Sequence, residues 1–458
     1  MNIIFLALLI VLTVCAYILA GKDILSPWVI LCTIFLGVLI LVLLNSTKWD
    51  VVFYDYSIIL ILLALIMWGV GSGVGAFGTC QVRQAENLQF YDRLKGYYPA
   101  FFICFVSLAC TVIYIFKELQ SVDLDGGITA AIRQLYENAI QNQGGSFIQN
   151  QLFEIVVVFA YLSIYRILVK AFLLKKTDRI GYPLLMFPII NFMVATIIRT
   201  DRNVYLRACI YTAVLWIFFF RQRTKKNVNW KIIKKLVIML VFALILFYGI
   251  GKTKQYKSGF LDSLSIYGGS GLYNLNLYIH EHPSGNLNPG DSGTFVSIQN
   301  MLARLGFMSK SSFERIDEFI SYQTTKGYFY RSNVYTAIKT YFYDYGIWGV
   351  IIFPMISGMF FQWFYKQINQ KKLGFSCVLY AVLIYPVVYY PILEQMFNRI
   401  HFGTIYELIW LILIFYMIYG KNGLWKIHIT KYFTLHITKK SFRIFQKESN
   451  YKQGTFLT

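Results

Sequence analysis

Runs of sixteen to twenty-two largely uncharged residues recur along this chain from its first residues almost to its end. A helix needs about 20 such residues to cross the roughly 30 Å of a bilayer's hydrocarbon. Inside lipid a backbone must satisfy its own polar groups, so each run has to be helical. Eleven runs qualify: Asn2–Ala20, Trp28–Leu44, Ser57–Gly75, Pro99–Phe116, Phe153–Leu174, Pro183–Ile198, Val204–Phe220, Leu236–Gly251, Tyr345–Tyr365, Phe375–Leu393 and Phe402–Gly420. The composition agrees, with 57% hydrophobic residues, 14% charged residues and a mean hydropathy of +0.54, more apolar surface than a soluble core of this length can use. The first run opens Met-Asn-Ile-Ile-Phe, without the basic stretch or small-residue cleavage site of a secretory signal, and therefore reads as an anchor. The expectation is an all-α polytopic membrane protein of about eleven transmembrane helices, twelve if one segment is re-entrant.

Lys and Arg in short connections mark the cytoplasmic side. One alternating set carries Lys22, then Arg83, Arg93 and Lys95, then Lys175, Lys176 and Arg179, seven bases between Arg221 and Lys235, then Lys366, Lys371 and Lys372, and eight in the tail. The opposite short set carries about seven. This places the C-terminus in the cytoplasm and, with eleven spans, the N-terminus outside.

Four polar segments then share the outer face: Lys117–Asn150, Arg199–Asn203, Gly251–Phe342 and Glu394–His401. The third is by far the longest. Loops in membrane bundles are usually short, so a stretch of about ninety residues marks recognition or chemistry. The chain divides into an N-terminal bundle over 1–251, an extracytoplasmic loop domain over 252–342, C-terminal helices over 343–420 and a basic tail over 421–458. Within the insert, Phe295, Ile298, Leu302 and Leu305 keep helical spacing, as do Phe313, Ile316, Phe319 and Ile320, while Pro283-Ser-Gly and Asn288-Pro-Gly-Asp-Ser-Gly mark turns. Short amphipathic helices lying on the bundle are the expectation.

The net charge of +21 follows largely from topology. Basic residues in Arg221–Lys235 and in the tail sit against anionic headgroups, each worth about 1 kcal/mol. The tail interleaves Ile427, Phe433, Leu435, Ile437, Phe442 and Ile444 with lysines and suits an interfacial helix. No nucleic-acid reader fold accompanies this charge, so nucleic acid is not an expected partner. Of seven cysteines, Cys15, Cys32, Cys104, Cys110, Cys209 and Cys377 fall in spans and Cys80 at a helix end, which excludes a disulfide framework or zinc spacing. Asp123-Leu-Asp125 is too common a pair to assign, and His280-Glu-His282 lacks the i, i+4 spacing of helical metal ligands. No metal and no cofactor are expected.

Arginines at the outer edge are the next feature. Arg199-Thr-Asp-Arg202-Asn opens a span that carries Arg207 about one turn further in. Guanidinium forks match phosphate oxygens in two places; an ion pair with Asp201 or an interfacial anchor accounts for an isolated arginine equally well. Asn333-Val-Tyr-Thr, then Tyr343-Asp-Tyr-Gly-Ile-Trp-Gly, then an apolar span containing Gly358, complete the set.

Together these motifs resemble the signature of Wzy-type oligosaccharide repeat-unit polymerases, GT-C-like membrane proteins of about eleven to fourteen helices with a large external loop. In that family a small-residue-plus-arginine step opens a central helix. Arg202 matches that position, with Thr200 and Asp201 standing where the family has glycine and serine. The resemblance implies an inverting glycosyl transfer between oligosaccharides carried on undecaprenyl pyrophosphate, without nucleotide or metal, for O-antigen or capsule at the outer face of a bacterial plasma membrane. Its implied partners are these lipid-linked oligosaccharides, membrane lipids, and the flippase and chain-length regulator of the same pathway. Arg202 is the expected diphosphate ligand, helped by Arg199, Arg207, Arg304 and Arg331. Asn333 and Tyr335 are placed to hydrogen-bond sugar or phosphate, and Asp344 to orient an acceptor hydroxyl or to cap a helix. The base is open among His282, Glu281, Glu394 and His401. A lipid-linked oligosaccharide flippase, a membrane acyltransferase and a glycan ligase are the rival readings; clustering on the outer face argues against the first two, while the ligase shares the donor chemistry.

Overall fold

The computed structural model describes residues 2–77, 98–120, 146–174, 181–199, 201–224, 248–249, 259–285, 293–309, 319–369 and 374–419, scattered positions over 122–137, and strands over 425–428, 433–438 and 441–446. Among these residues nine helices are long and apolar enough to cross a membrane. They are α1 (Asn2–Leu19), α2 (Pro27–Leu44), α4 (Asp55–Phe77), α5 (Tyr98–Leu119), α6 (Phe147–Val169, continued by a π turn Lys170–Leu174), α7 (Gly181–Arg199), α8 (Arg202–Thr224), α11 (Ala337–Asn369) and α14 (Phe402–Tyr419). Shorter elements join them: α3 (Ser46–Trp49), α9 (Phe260–Glu281), α10 (Val296–Arg304), a hairpin of β1 (Ile320–Gln323) and β2 (Phe329–Ser332), α12 (Phe375–Leu383) and α13 (Tyr385–Tyr389). The protein is thus an all-α polytopic membrane protein. The expected span Leu236–Gly251 lies almost wholly outside the described residues.

The expected span Phe375–Leu393 is broken. Pro386 sits in the first turn of α13, where its missing N–H separates α12 from α13, and the chain leaves the helix at Tyr390 and Pro391.

One end of the bundle gathers the start of α1, the end of α2, the starts of α4, α6, α8, α11 and α14, and the whole of the described insert. There Asn2 reaches the Val51 carbonyl (3.2 Å), Tyr389 donates to Asn203 (3.2 Å), and Trp410 donates to Gln151 (2.8 Å). The opposite end is fastened by Asp23, which accepts from Arg221 (2.5 Å) and Tyr365 (2.7 Å).

Helices α4 and α11 form the tightest seam. A Cβ on Gly71 would strike the Met355 carbonyl, one on Gly75 the Met359 carbonyl, and one on Gly358 the Trp68 carbonyl. A four-residue step in one helix is matched by a four-residue step in the same sense in the other, so the two run parallel with backbones in contact, as small residues permit.

The insert departs from the expectation of short helices only. Helix α9 has 22 residues, about 33 Å at 1.5 Å per residue. Lys48 pairs with Asp262 (2.5 Å), Tyr273 donates to the Asp50 carbonyl (3.3 Å), Asn276 donates to the Val52 carbonyl (2.8 Å) and His280 stacks on Tyr54. The helix therefore tracks the α2–α4 connection and lies across the end of the bundle. Its polar residues are buried, since Asn274 bonds the Val334 carbonyl (2.8 Å) and Tyr330 (2.7 Å), and Ser270 meets Ser332 (2.7 Å). Side chains that read as solvent-facing are satisfied against strands and loop backbone.

Helix α10 forms where the spacing of Phe295, Ile298 and Leu302 placed one. Ile320, taken with Phe313 and Ile316 as helical, instead opens β1; Phe313 and Ile316 lie outside the described residues. The hairpin follows from two short runs that alternate inward and outward residues around a turn at Gly327 (φ +73°). In the tail, the expected interfacial helix is replaced by an antiparallel sheet of β3 (Trp425–His428), β4 (Phe433–Thr438) and β5 (Ser441–Gln446). Phe-Thr-Leu-His-Ile-Thr alternates with period two and carries the β-branched residues that favour strands.

Candidate functional site: an ion cluster at the insert end

Helix α8 starts beside Asp201, which accepts from the Asn203 N–H (3.0 Å), and carries Arg207 about one turn into the bundle. Opposite it, α14 carries Glu407, buried to 2% exposure. Glu407 Oε2 accepts from Arg207 Nη1 at 3.1 Å and from Arg399 Nη2 at 2.9 Å, and the two arginine side chains are 13% and 14% exposed. Two guanidinium groups are thus held side by side by one carboxylate oxygen. At this burial a charge is retained only if paired. Glu407 Oε1 is sealed from solvent with no hydrogen-bond donor among the described residues, and so is Oε2 of Glu154 on α6. Glu154 lies within electrostatic reach of Glu407, Arg207, Arg199 and Arg399.

Arg399 is placed by its loop. Glu394, fully buried, accepts from Tyr341 (3.0 Å) and from the backbone N–H groups of Met396 (2.7 Å), Phe397 (2.9 Å) and Asn398 (2.9 Å). Burial raises the Glu394 carboxyl above its ordinary value, and the donors from Phe397, Asn398, Tyr341 and Met396 pull it back. The folded 394–398 turn projects Arg399 over the Tyr385 ring (5.4 Å), and Tyr385 packs on Tyr389 (4.1 Å). His401 closes the loop. Desolvation, with Arg399 and Arg207 adding their charge, pulls its imidazolium down to about 4.

The residues singled out from sequence divide into three groups. Arg207 is in the cluster, Arg199 lies over Phe153 (4.2 Å) at its edge, and Arg304, exposed at the end of α10, acts electrostatically on His401. Arg202 is the first residue of α8, and its side chain lies outside the described residues.

Asp344 and Glu394 form the second group, and both are committed to scaffold contacts. Asp344 accepts from Gly293 N (3.1 Å), Thr294 N (2.7 Å) and Thr294 Oγ1 (2.5 Å), fastening the turn before α10 to α11. Two residues on, Gly346 (φ 55°, ψ −141°) breaks the helical path of α11 inside the Tyr343-Asp-Tyr-Gly motif. Gly285 (φ +73°) packs on the Phe342 carbonyl at the same point.

His282 and Tyr335 gather elsewhere, around Lys339, whose ammonium lies over Tyr335 (4.7 Å), Tyr278 (5.1 Å) and Tyr343 (5.2 Å). His282 packs on Tyr278 (4.9 Å). Asn333 lies in the link from β2 to α11, and Arg331 is exposed over Phe319 (4.4 Å). The described residues contain no group of three or more His, Cys, Asp or Glu that could hold a metal ion.

Arg399, Glu407 and Glu154 were not singled out from sequence. The available signal was an acid inside each of two long spans, Glu407 alone in its span and Glu154 in a span that also carries Arg166 and Lys170, and an ionisable residue there by itself marks a functional hypothesis. No protein family, curated protein or solved structure matches the chain.

Proposed function

We propose that this protein joins oligosaccharide repeat units carried on a lipid diphosphate at the outer face of a bacterial plasma membrane, with the insert end outward and the tail in the cytoplasm. The observation that carries this reading is the pair of guanidinium forks, Arg207 and Arg399, fixed by Glu407 at the insert end of the bundle. Two preorganised forks suit a diphosphate, because each can meet two oxygens and neither has to reorganise as charge develops on the leaving group. Arg199 and Arg304 add positive potential at the rim, and the buried rings of Tyr385 and Tyr389 back Arg399. The sequence resemblance points to the same chemistry.

In this mechanism a hydroxyl of the incoming repeat unit attacks the anomeric carbon of the growing glycan from the side opposite the diphosphate. The anomeric carbon–oxygen bond breaks with its electron pair passing to the diphosphate, which the arginines hold, and the configuration inverts. Holding two lipid-anchored reactants in line supplies much of the acceleration. Asp344 and Glu394 serve here as supports of the insert and of Arg399.

The test is the purified protein in lipid nanodiscs with its lipid-diphosphate repeat unit and no nucleotide. A product ladder spaced by one repeat unit is expected, with Arg399→Lys lowering its rate while the melting temperature holds. No ladder from authentic substrate would overturn polymerisation, and a single larger product would favour a ligase.

A further inference from the structure

The ion cluster contains one carboxylate that its internal pairing does not use. Glu154 stands seven residues after the start of α6, about 10 Å into the bundle, three residues beyond Gln151, which holds Trp410 of α14. Its charged neighbours come from four elements, Arg199 from α7, Arg207 from α8, Arg399 from the loop after α13 and Glu407 from α14, while α5 packs on the same helix through Tyr114 on Phe153 (5.5 Å). Its Oε2 is shut off from solvent without a donor. An acceptor left in that state costs about 1–3 kcal/mol, so its retention calls for a gain elsewhere.

Glu394, Asp344, Glu407 and His401, at the same end, are poorly suited to take a proton. Glu394 receives four hydrogen bonds and Asp344 three. Glu407 is the bridge between two arginines, and its removal would release both. His401, held down to about 4, is too weak a base to match a proton transfer near neutral pH.

We propose that Glu154 is the catalytic base of the transfer described above, an inference that rests on that reading. The acceptor hydroxyl gives its proton to the Glu154 carboxylate, whose side chain keeps partial exposure, as the hydroxyl oxygen bonds the anomeric carbon. The electron pair of the broken bond leaves on the diphosphate between Arg207 and Arg399. The cluster thereby places a proton acceptor and the leaving-group cations in one desolvated space, and Glu407 keeps the arginines from collapsing onto Glu154.

The experiment compares wild type, Glu154→Gln and Glu154→Asp in nanodiscs. It follows kcat and KM for ladder formation, binding of undecaprenyl diphosphate alone, and the pH profile of kcat/KM. Glu154→Gln should lower kcat by about 10²–10⁴-fold, the usual worth of a positioned base, with KM and diphosphate binding changed less than about threefold. The acid limb of the wild-type profile should vanish from its residual activity, and Asp should restore part of the rate. A Gln variant with kcat within about threefold of wild type, one that loses binding together with rate, or one that keeps the acid limb would overturn the assignment. If wild type makes a ladder and Glu154→Gln makes it with kcat within about threefold of wild type, only the base assignment fails. If wild type makes none, the polymerase reading fails and takes the base with it.

Discussion

The α4–α11 seam and the α6–α8–α14 cluster are both long-range contacts within one bundle, built on opposite principles. In the seam, Gly71, Gly75 and Gly358 bring backbones into contact, and the polar side chains there are uncharged: Ser72 reaches the Gly358 carbonyl (3.5 Å), and Trp68 Nε1 and Ser357 Oγ are buried without a partner among the described residues. In the cluster, buried Glu407 and partly buried Arg207, Arg399 and Glu154 stand among apolar helices, and two carboxylate oxygens have no donor among the described residues. A buried ion pair is weak evidence for stability, since apolar packing of similar volume often does as well. The seam has the character of a structural joint, whereas the cluster keeps a cost that stability alone does not explain.

The first test is of the seam. Gly358→Leu drives a side chain into the Trp68 carbonyl, and no flexible atom can give way; overpacking of this kind costs about 1–3 kcal/mol or more. The variant should yield little folded protein on size-exclusion chromatography. Gly73, with nothing within 4 Å of a built Cβ, provides the control, and Gly73→Leu should melt as wild type does. Equal behaviour of the two would break the reading of the seam.

Next comes the cluster. Glu407→Met leaves two partly buried arginines facing each other, a loss of about 3–5 kcal/mol by analogy with broken buried pairs. Arg207→Met together with Glu407→Met should recover part of that stability, a non-additivity expected of residues in contact, while ladder formation stays abolished. Thermal melts of the two singles and the double would show it. Additive losses would mean that the ions are not coupled.

The same contrast explains what the sequence made legible. The spans were readable because lipid requires long apolar runs, and nine of them appear as helices. Helix α9 was not, because Ser270, Asn274 and Asn276 look like surface residues until their partners, Ser332, Val334 and Val52, are brought beside them by folding. In the site, Arg207 and Arg199 announced themselves as charges at a span entrance. Glu407 sits 200 residues from Arg207, and no local pattern joins them. Arg399 became a partner only through the turn that Glu394 folds. Polar residues far apart in sequence carry no mark of whether they will be supports or reactants.

A pair of isosteric changes sharpens that distinction. Glu394→Gln puts an amide where the carboxylate now accepts from three backbone N–H groups and Tyr341, and at least one contact becomes donor against donor. A loss of about 1–3 kcal/mol is expected, with activity falling only as far as folded protein does. Glu154→Gln should show the reverse, an unchanged melt and a large fall in kcat. Plotting rate against melting temperature for both variants separates support from reactant; if the two fall on one line, the distinction between them fails.

The smallest effect concerns His401, which belongs to the cluster by charge and to the scaffold by position. Its folded pKa, about 4, lies below the roughly 6.5 of an unfolded imidazole. Between those values the unfolded chain binds more protons than the folded one, so this histidine's contribution is present above about pH 6.5 and is lost as pH falls toward 4. The sign follows first from desolvation and then from its neighbours, because protonation would add a third cation beside Arg399 and Arg207. His401→Asn should therefore flatten the decline in melting temperature between pH 6.5 and 4 without shifting the neutral-pH melt. It should leave kcat at neutral pH within about threefold of wild type, as expected of a group that does not carry the proton. A large rate loss in His401→Asn would move the base from the buried wall of the cluster to its exposed rim, and would reverse the roles assigned here to His401 and Glu154.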